Sequence, residues 1–288
     1  MAFIFVASLL SMSLSTPTPS VPPHRTRRLS RKTLILIAAG LLAISVMAVI
    51  GFTQNHKTST PFCQTVTTPF AYTVCEFRPG EQQAQLQLAW RYPNSNNTLL
   101  NFANLKQSLP PQQTLHFAMN AGMYDERFAP IGYTVIQGQQ IHSLNLKNGG
   151  GNFHMMPNGV FWWDKGGYHV TESHAMAKLL ERGTKPLFAT QSGPMLVING
   201  KIHPSFSADS SSQKLRNGVG VCQDGRIKFV ISDTWVSFYQ FAALFKNDLG
   251  CDNALFLDGG RASALYSREL TRSDVKSMGA ILALTTID

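Results

Sequence analysis

The chain has 288 residues, of which 44% are hydrophobic and 10% aromatic, so it can bury a sizeable core and is not disordered over most of its length. Only 14% of residues are charged, yet the formal net charge is +9. Five of the 25 basic residues and no acidic residue fall within 1–52, which leaves residues 53–288 at +4 and points to a membrane before it points to nucleic acid.

In chain order, residues 1–14 are apolar but too short to span a bilayer, and 16–23 are rich in Pro, Ser and Thr. Arg25, Arg27, Arg28, Arg31 and Lys32 then precede TLILIAAGLLAISVMAVIGF, residues 33–52, which carry no charge. At about 1.5 Å per residue that stretch spans about 30 Å, the hydrocarbon thickness of a bilayer. The basic cluster before it predicts a cytoplasmic tail over 1–32, a transmembrane helix over 33–52, and an exported remainder. Val46-Met47-Ala48 matches a cleavage site poorly, so an uncleaved anchor is expected, with a cleaved secreted form as the alternative. Residues 53–62 form a polar linker, and 63–288 form one domain in the periplasm or extracellular space.

All four cysteines, Cys63, Cys75, Cys222 and Cys251, lie in that domain. Three pairings are possible; Cys63–Cys75 with Cys222–Cys251 closes the shortest loops, and an exported domain favours disulfides. A zinc site is the alternative, but no C-x-x-C pair is present.

Short apolar runs separated by turn dipeptides fill the domain, and no repeat of fixed period occurs. Leu115–Met119 predicts a strand ending at Asn120-Ala121-Gly122. Tyr133–Ile136 with Gln140–Leu144, Val160–Trp163 with Tyr168–Thr171, and Val219–Gln223 with Arg226–Ile231 predict hairpins. Met195–Ile198 and Lys201–His203 flank Asn199-Gly200, a pair suited to a type I′ turn. Helices are predicted over Ser173–Arg182, capped by Ser173, and over Ser237–Leu249, stopped by Gly250. Asn253–Leu257 predicts a buried strand. The fold class is therefore α+β: a hairpin-rich mixed sheet with packed helices, preceded by one membrane helix.

Five clusters set polar residues at strand ends, where binding groups are usually presented. Asn120 can bond a substrate hydroxyl, while Asp125 and Glu126 can move protons or serve an ordinary turn. Lys147 to His154 encloses three glycines whose backbone N–H groups can approach an anion, with Lys147 or His154 adding charge; it matches no nucleotide-binding fingerprint. Ser192 precedes Gly193-Pro194 but lacks the G-x-S-x-G elbow of a serine nucleophile, which leaves a turn or a substrate contact. Arg216 has the donor fork for a phosphate or carboxylate. Asp258 follows a fully apolar strand and leads Gly259-Gly260-Arg261-Ala262-Ser263, either as a chemically active acid or as a cap of the glycine turn.

Taken in order, NAGMYD at 120–125, QSGPMLV at 191–197, RNGVGV at 216–221 and LFLDGG at 255–260 resemble the phosphodiester glycosidase family over roughly residues 115–288. The sequence departs from the family where Arg261 and Ala262 stand between Gly260 and Ser263; the family commonly has a third glycine and then serine. The resemblance implies hydrolysis of a sugar-1-phosphodiester on the glycosidic side, in an envelope or extracellular glycan. It implies Asp258 as the leading carboxylate, with Asp125, Glu126 and Asp233 competing for a second. Arg216 becomes a phosphate clamp assisted by Ser192 and the backbone at Gly193, with Asn120 orienting sugar hydroxyls. Gly259, Gly260, Arg261, Ser263 and His154 complete the expected substrate contacts. A non-catalytic glycan-binding or envelope-assembly module on the same fold is the alternative function. The expected partners are a carbohydrate phosphodiester and, through 33–52, the membrane, but not nucleic acid. No cofactor is required, although Asp125, Asp233 and Asp258 offer hard oxygen ligands to a divalent metal.

Overall fold

Alternation of apolar side chains along strands decides which faces must be covered, and here it asks for cover on both faces of each sheet. The computed structural model describes residues 61–287 and Ser30. The predicted tail (apart from Ser30), the span 33–52 and residues 53–60 of the linker lie outside the described residues. Phe62, at the linker's end, is already buried in the core. Among the described residues no helix is long and apolar enough to cross a membrane.

Strands are numbered β1–β17 in chain order and pair antiparallel in three sheets. The first runs β1 (Cys63–Val66), β2 (Tyr72–Phe77), β13 (Ile227–Ser232), β12 (Asn217–Cys222), β14 (Cys251–Phe256), β10 (Met195–Ile198), β11 (Lys201–Ile202). The second runs β16 (Arg272–Ser273), β15 (Leu265–Ser267), β4 (Gln113–Asn120), β17 (Ile281–Ile287), β3 (Gln85–Ala89). The third runs β6 (Gln139–His142), β5 (Thr134–Ile136), β9 (Phe188–Ser192), β7 (Gly159–Asp164), β8 (Gly167–Glu172). The expected α+β, hairpin-rich architecture is present, with the strands divided among three sheets.

One aromatic from each sheet meets at the centre. Phe117 of β4 lies 5.3 Å from Phe229 of β13, and Phe161 of β7 lies 5.8 Å from the same ring. Met119, Trp163 and Ile231, each two residues further along one of those strands, join this core, as the period of two requires. The opposite faces are covered by one helix each. Helix α1 (Phe102–Ser108) lays Phe102 and Leu105 on Ala118 and Ile281 of the second sheet. Helix α2 (Ser173–Glu181) packs Met176 on Val160 and Trp162 of the third. Helix α3 (Phe238–Ala243), prolonged by a π-helical turn Leu244–Asp248, packs Phe241 and Phe245 on Val230 and Ala254 of the first. Each such aromatic burial stabilises the fold by roughly 1.5–3 kcal/mol before the lost side-chain entropy is counted.

Local chemistry sets the boundaries. Asn199 and Gly200 take φ of +47° and +74°, the left-handed pair a type I′ hairpin requires. Ser237 caps α3 in a reciprocal capping box with Gln240. The cap of α2 differs from expectation. Glu172, not Ser173, accepts from the first-turn N–H groups of His174 and Ala175, because Ser173 is turned inward to Gln191. Cys63–Cys75 joins β1 to β2 and Cys222–Cys251 joins β12 to β14, as the loop lengths suggest. Two disulfides fit an oxidising, exported compartment.

Candidate active site

The end of β4, the start of β12 and the end of β14 converge where the first and second sheets meet. Asn120, 1% exposed, is the junction. Its Nδ2 donates to the Asp258 carbonyl at 2.6 Å, and its Oδ1 accepts from Asn217 Nδ2 at 2.7 Å and from the Ala264 N–H at 3.0 Å. With both acceptor positions occupied inside the protein, Asn120 holds the walls of the site together rather than presenting its oxygen to a sugar. The Asp258 N–H in turn donates to the Ala121 carbonyl, and the Leu257 N–H to the Asn217 carbonyl. The third sheet closes on the same point: the Gly122 N–H donates to Thr190 Oγ1, and a Cβ at Gly122 would collide with the Gln191 backbone.

Asp258 sits at this meeting point, half-buried. Its carboxylate makes no hydrogen bond or ion pair among the described residues. Burial alone therefore acts on it, and pushes its pKa up from 3.8 to about 6. Tyr124 stands beside it: burial, and then the charge of Asp258, push the phenol up to about 12, so Tyr124 remains protonated across the physiological range. Its hydroxyl donates to the Ser277 carbonyl at 3.2 Å.

Three buried polar atoms nearby, Ser192 Oγ, Asn217 Oδ1 and Ser263 Oγ, have no hydrogen-bond partner among the described residues. Buried polar groups are normally satisfied, so three unpartnered ones near a half-buried acid stand out. Ser192 ends β9, and the next carbonyl after Gly193, that of Pro194, accepts from the Phe256 N–H. This brings the Ser192–Pro194 turn alongside the strand that delivers Asp258. Gly193 is required by space, since a Cβ there would lie 2.6 Å from that of Asn158. Gly259 packs against the Phe256 ring, and Gly260, with φ +67°, donates to the Leu215 carbonyl at 2.8 Å. The glycines let the chain turn directly behind the acid.

Arg216 is 1% exposed, the largest fully buried side chain among the described residues. Its Nε donates to the Val236 carbonyl at 2.9 Å and Nη2 to the Ser212 carbonyl at 3.1 Å, and the guanidinium lies 3.5 Å over the Phe238 ring. Among the described residues no acidic side chain pairs with it, and desolvation lowers its pKa to about 10. The cation stays charged in place, immediately before Asn217.

The remaining expected residues separate. Asp125 is exposed and accepts at Oδ1 from the Arg127 and Ala129 N–H groups, which hold its pKa below the usual carboxylate value; it caps a turn. Glu126 is exposed on the same turn. His154 joins the Lys147 carbonyl through Nδ1 at 2.8 Å and organises the glycine loop. Asp233 is committed to Arg272 at 2.7 Å and Thr73 at 2.8 Å. Arg261 is exposed beside the site. Asp125, Asp233 and Asp258 therefore do not converge, and among the described residues no group of three or more His, Cys, Asp or Glu side chains is placed to hold a metal. Tyr124 and Asn217 are two site residues that the sequence alone does not single out. Both lie inside quoted motifs, Tyr124 four residues after Asn120 and Asn217 directly after Arg216.

Residues 113–280 match the family model described as phosphodiester glycosidase. The uncharacterized protein YigE of Escherichia coli (strain K12) is 36% identical over 189 residues, covering 65% of this chain and 72% of that protein. Among solved structures, the zebrafish N-acetylglucosamine-1-phosphodiester alpha-N-acetylglucosaminidase catalytic domain, auto-inhibited by its pro-peptide, matches with a TM-score of 0.56. It shares 15% identity over 78% of this chain and 84% of its own, a likeness of fold.

Proposed function

This chain belongs to the phosphodiester glycosidase family, and on that premise we propose that it hydrolyses a sugar-1-phosphodiester on the glycosidic side. Water adds to the anomeric carbon, the bond from C1 to the phosphate oxygen breaks, and a free sugar and a phosphomonoester leave. The observation that carries this reading is the Asp258 carboxylate, half-buried and unpartnered among the described residues, with a pKa of about 6 where the ends of β4, β12 and β14 meet.

Near neutral pH Asp258 is ionised and faces a site that stabilises its charge poorly, which suits attack on, or electrostatic support of, an oxocarbenium-like anomeric carbon. A phosphomonoester is already a good leaving group. Cationic and amide contacts to its oxygens therefore matter more than a strong general acid. Arg216 supplies the buried positive field. Ser192, Asn217 and Ser263 supply polar atoms without partners among the described residues, and Tyr124, protonated and bonded to the Ser277 carbonyl, stands beside Asp258. We place the substrate in an envelope or extracellular glycan, with the chain held to the membrane by 33–52.

The test is hydrolysis by the full-length chain in 18O-labelled water, using α-N-acetylglucosamine-1-phosphodiesters and related sugar phosphodiesters. Label in the released sugar and none in the phosphomonoester is expected. Label in the phosphate would mean cleavage on the phosphorus side, and binding without turnover across the panel would mean a glycan-binding module instead.

A further inference from the structure

A run of contacts leads away from Asp258 to the surface. Tyr124, beside Asp258, bonds the Ser277 carbonyl; the adjacent Lys276 donates from Nζ to the Arg261 carbonyl at 2.8 Å. On the other side of the Asp258 turn, Gly260 is bonded to Leu215, and the preceding Lys214 forms a two-way backbone bridge with Val236. That bridge presents Trp235, which is 67% exposed, with Lys214 Nζ 5.9 Å from its ring centroid.

Lys214, Arg261 and Lys276 thus edge one site, and none of them makes an ion pair among the described residues. Two acids close to this rim in sequence, Asp233 and Asp274, are both taken by Arg272. Large aromatics are seldom left this open, and a flat indole ring beside cations is suited to stacking on a sugar ring whose neighbour is anionic. One scissile phosphodiester, set at Asp258, does not need three further cations several residues away in the rim.

We propose that this rim is an extended subsite for a polyanionic glycan: Trp235 stacks on a sugar beyond the scissile bond, and Lys214, Arg261 and Lys276 hold a further phosphate or carboxylate group of the same chain. The inference rests on the reading of Asp258 as the reacting carboxylate and narrows the substrate to a glycan bearing repeated anionic groups.

The probe is a short oligomer of N-acetylglucosamine linked through 1-phosphodiesters, compared with a single-unit phosphodiester of neutral aglycone. Binding is measured by titration on full-length Asp258→Asn protein, so that turnover is not required. The oligomer is expected to bind at least roughly tenfold more tightly than the single unit, with the advantage shrinking as salt screens the rim. Trp235→Ala, and separately Lys214→Ala with Lys276→Ala, are expected to remove most of that advantage while the melting temperature is retained. Equal affinity for oligomer and single unit, or an advantage untouched by both variants, would overturn the proposal. So would binding to anionic lipid vesicles with no oligomer preference. Failure of the wild-type chain to hydrolyse any phosphodiester would count against the catalytic reading and leave this binding comparison intact.

Discussion

Asn120 Nδ2 donates to the backbone carbonyl of Asp258 at 2.6 Å, across 138 residues of sequence and across the boundary between two sheets. The same amide accepts from Asn217 and from Ala264, so one side chain fixes three segments that wall the site. The position of the Asp258 backbone is therefore tied to a buried amide from another sheet.

Asn120→Ala should leave the Asp258 carbonyl, Asn217 Nδ2 and the Ala264 N–H without partners. Each buried orphan costs about 1–3 kcal/mol, so a loss of roughly 3–5 kcal/mol is expected in chemical denaturation. Asn120→Asp should not restore the donor to the Asp258 carbonyl, and is expected to lose activity as well as stability.

The raised pKa of Asp258 fixes the sign of a stability effect. Its folded pKa, about 6, lies above the unfolded value near 3.8, so its charged form is the one that folding disfavours. The cost is absent below about pH 4, grows between pH 4 and 6, and is complete above. Asp258→Asn should therefore raise the melting temperature at pH 8, by an amount equivalent to about 1–3 kcal/mol, and change it little at pH 4. A stabilisation independent of pH would contradict the assignment.

Arg216→Met keeps much of the volume over Phe238 and removes a buried charge that has no acidic partner among the described residues. Removing an unpaired buried charge can be neutral or favourable, while the bonds to Val236 and Ser212 are lost, so the net stability change is expected to stay within about 2 kcal/mol. KM for a phosphodiester substrate should rise at least about tenfold as the positive field disappears. An unchanged KM would remove Arg216 from phosphate binding.

Cys222 and Cys251 are separated by 29 residues and bridge β12 to β14, the two strands that bring Arg216, Asn217 and Asp258 together. Replacing both by alanine should cost about 3–4 kcal/mol by loop-closure entropy, read as a lower denaturation midpoint. Reducing agent should act on the wild type in the same direction.

Much of the fold is legible in the sequence because turn chemistry is local. Gln137-Gly138 and Asn199-Gly200 both adopt positive φ at both positions, so their hairpins follow from dipeptides alone. Asp258 and its glycines are legible for a similar reason, as an acid placed directly after an apolar strand. What escapes is long-range. The bond pattern of Asn120 depends on partners 97 and 138 residues away, so its structural use cannot be read from NAGMYD. Asp125 illustrates the converse: an acid in a motif whose carboxylate is taken by two N–H groups within four residues. The shift from Leu115 to Ala118 onto one face also needs the register slip beside Phe117, which no alternation rule foretells.

The most direct measurement of the central claim is kcat/KM of full-length wild type and Asp258→Asn on the same sugar-1-phosphodiester across about pH 4 to 9. Wild-type activity is expected to rise with an apparent pKa near 6, and the variant to lose about 10²–10⁴-fold at every pH above it. Retention of wild-type turnover by Asp258→Asn, with the same pH limb, would contradict it.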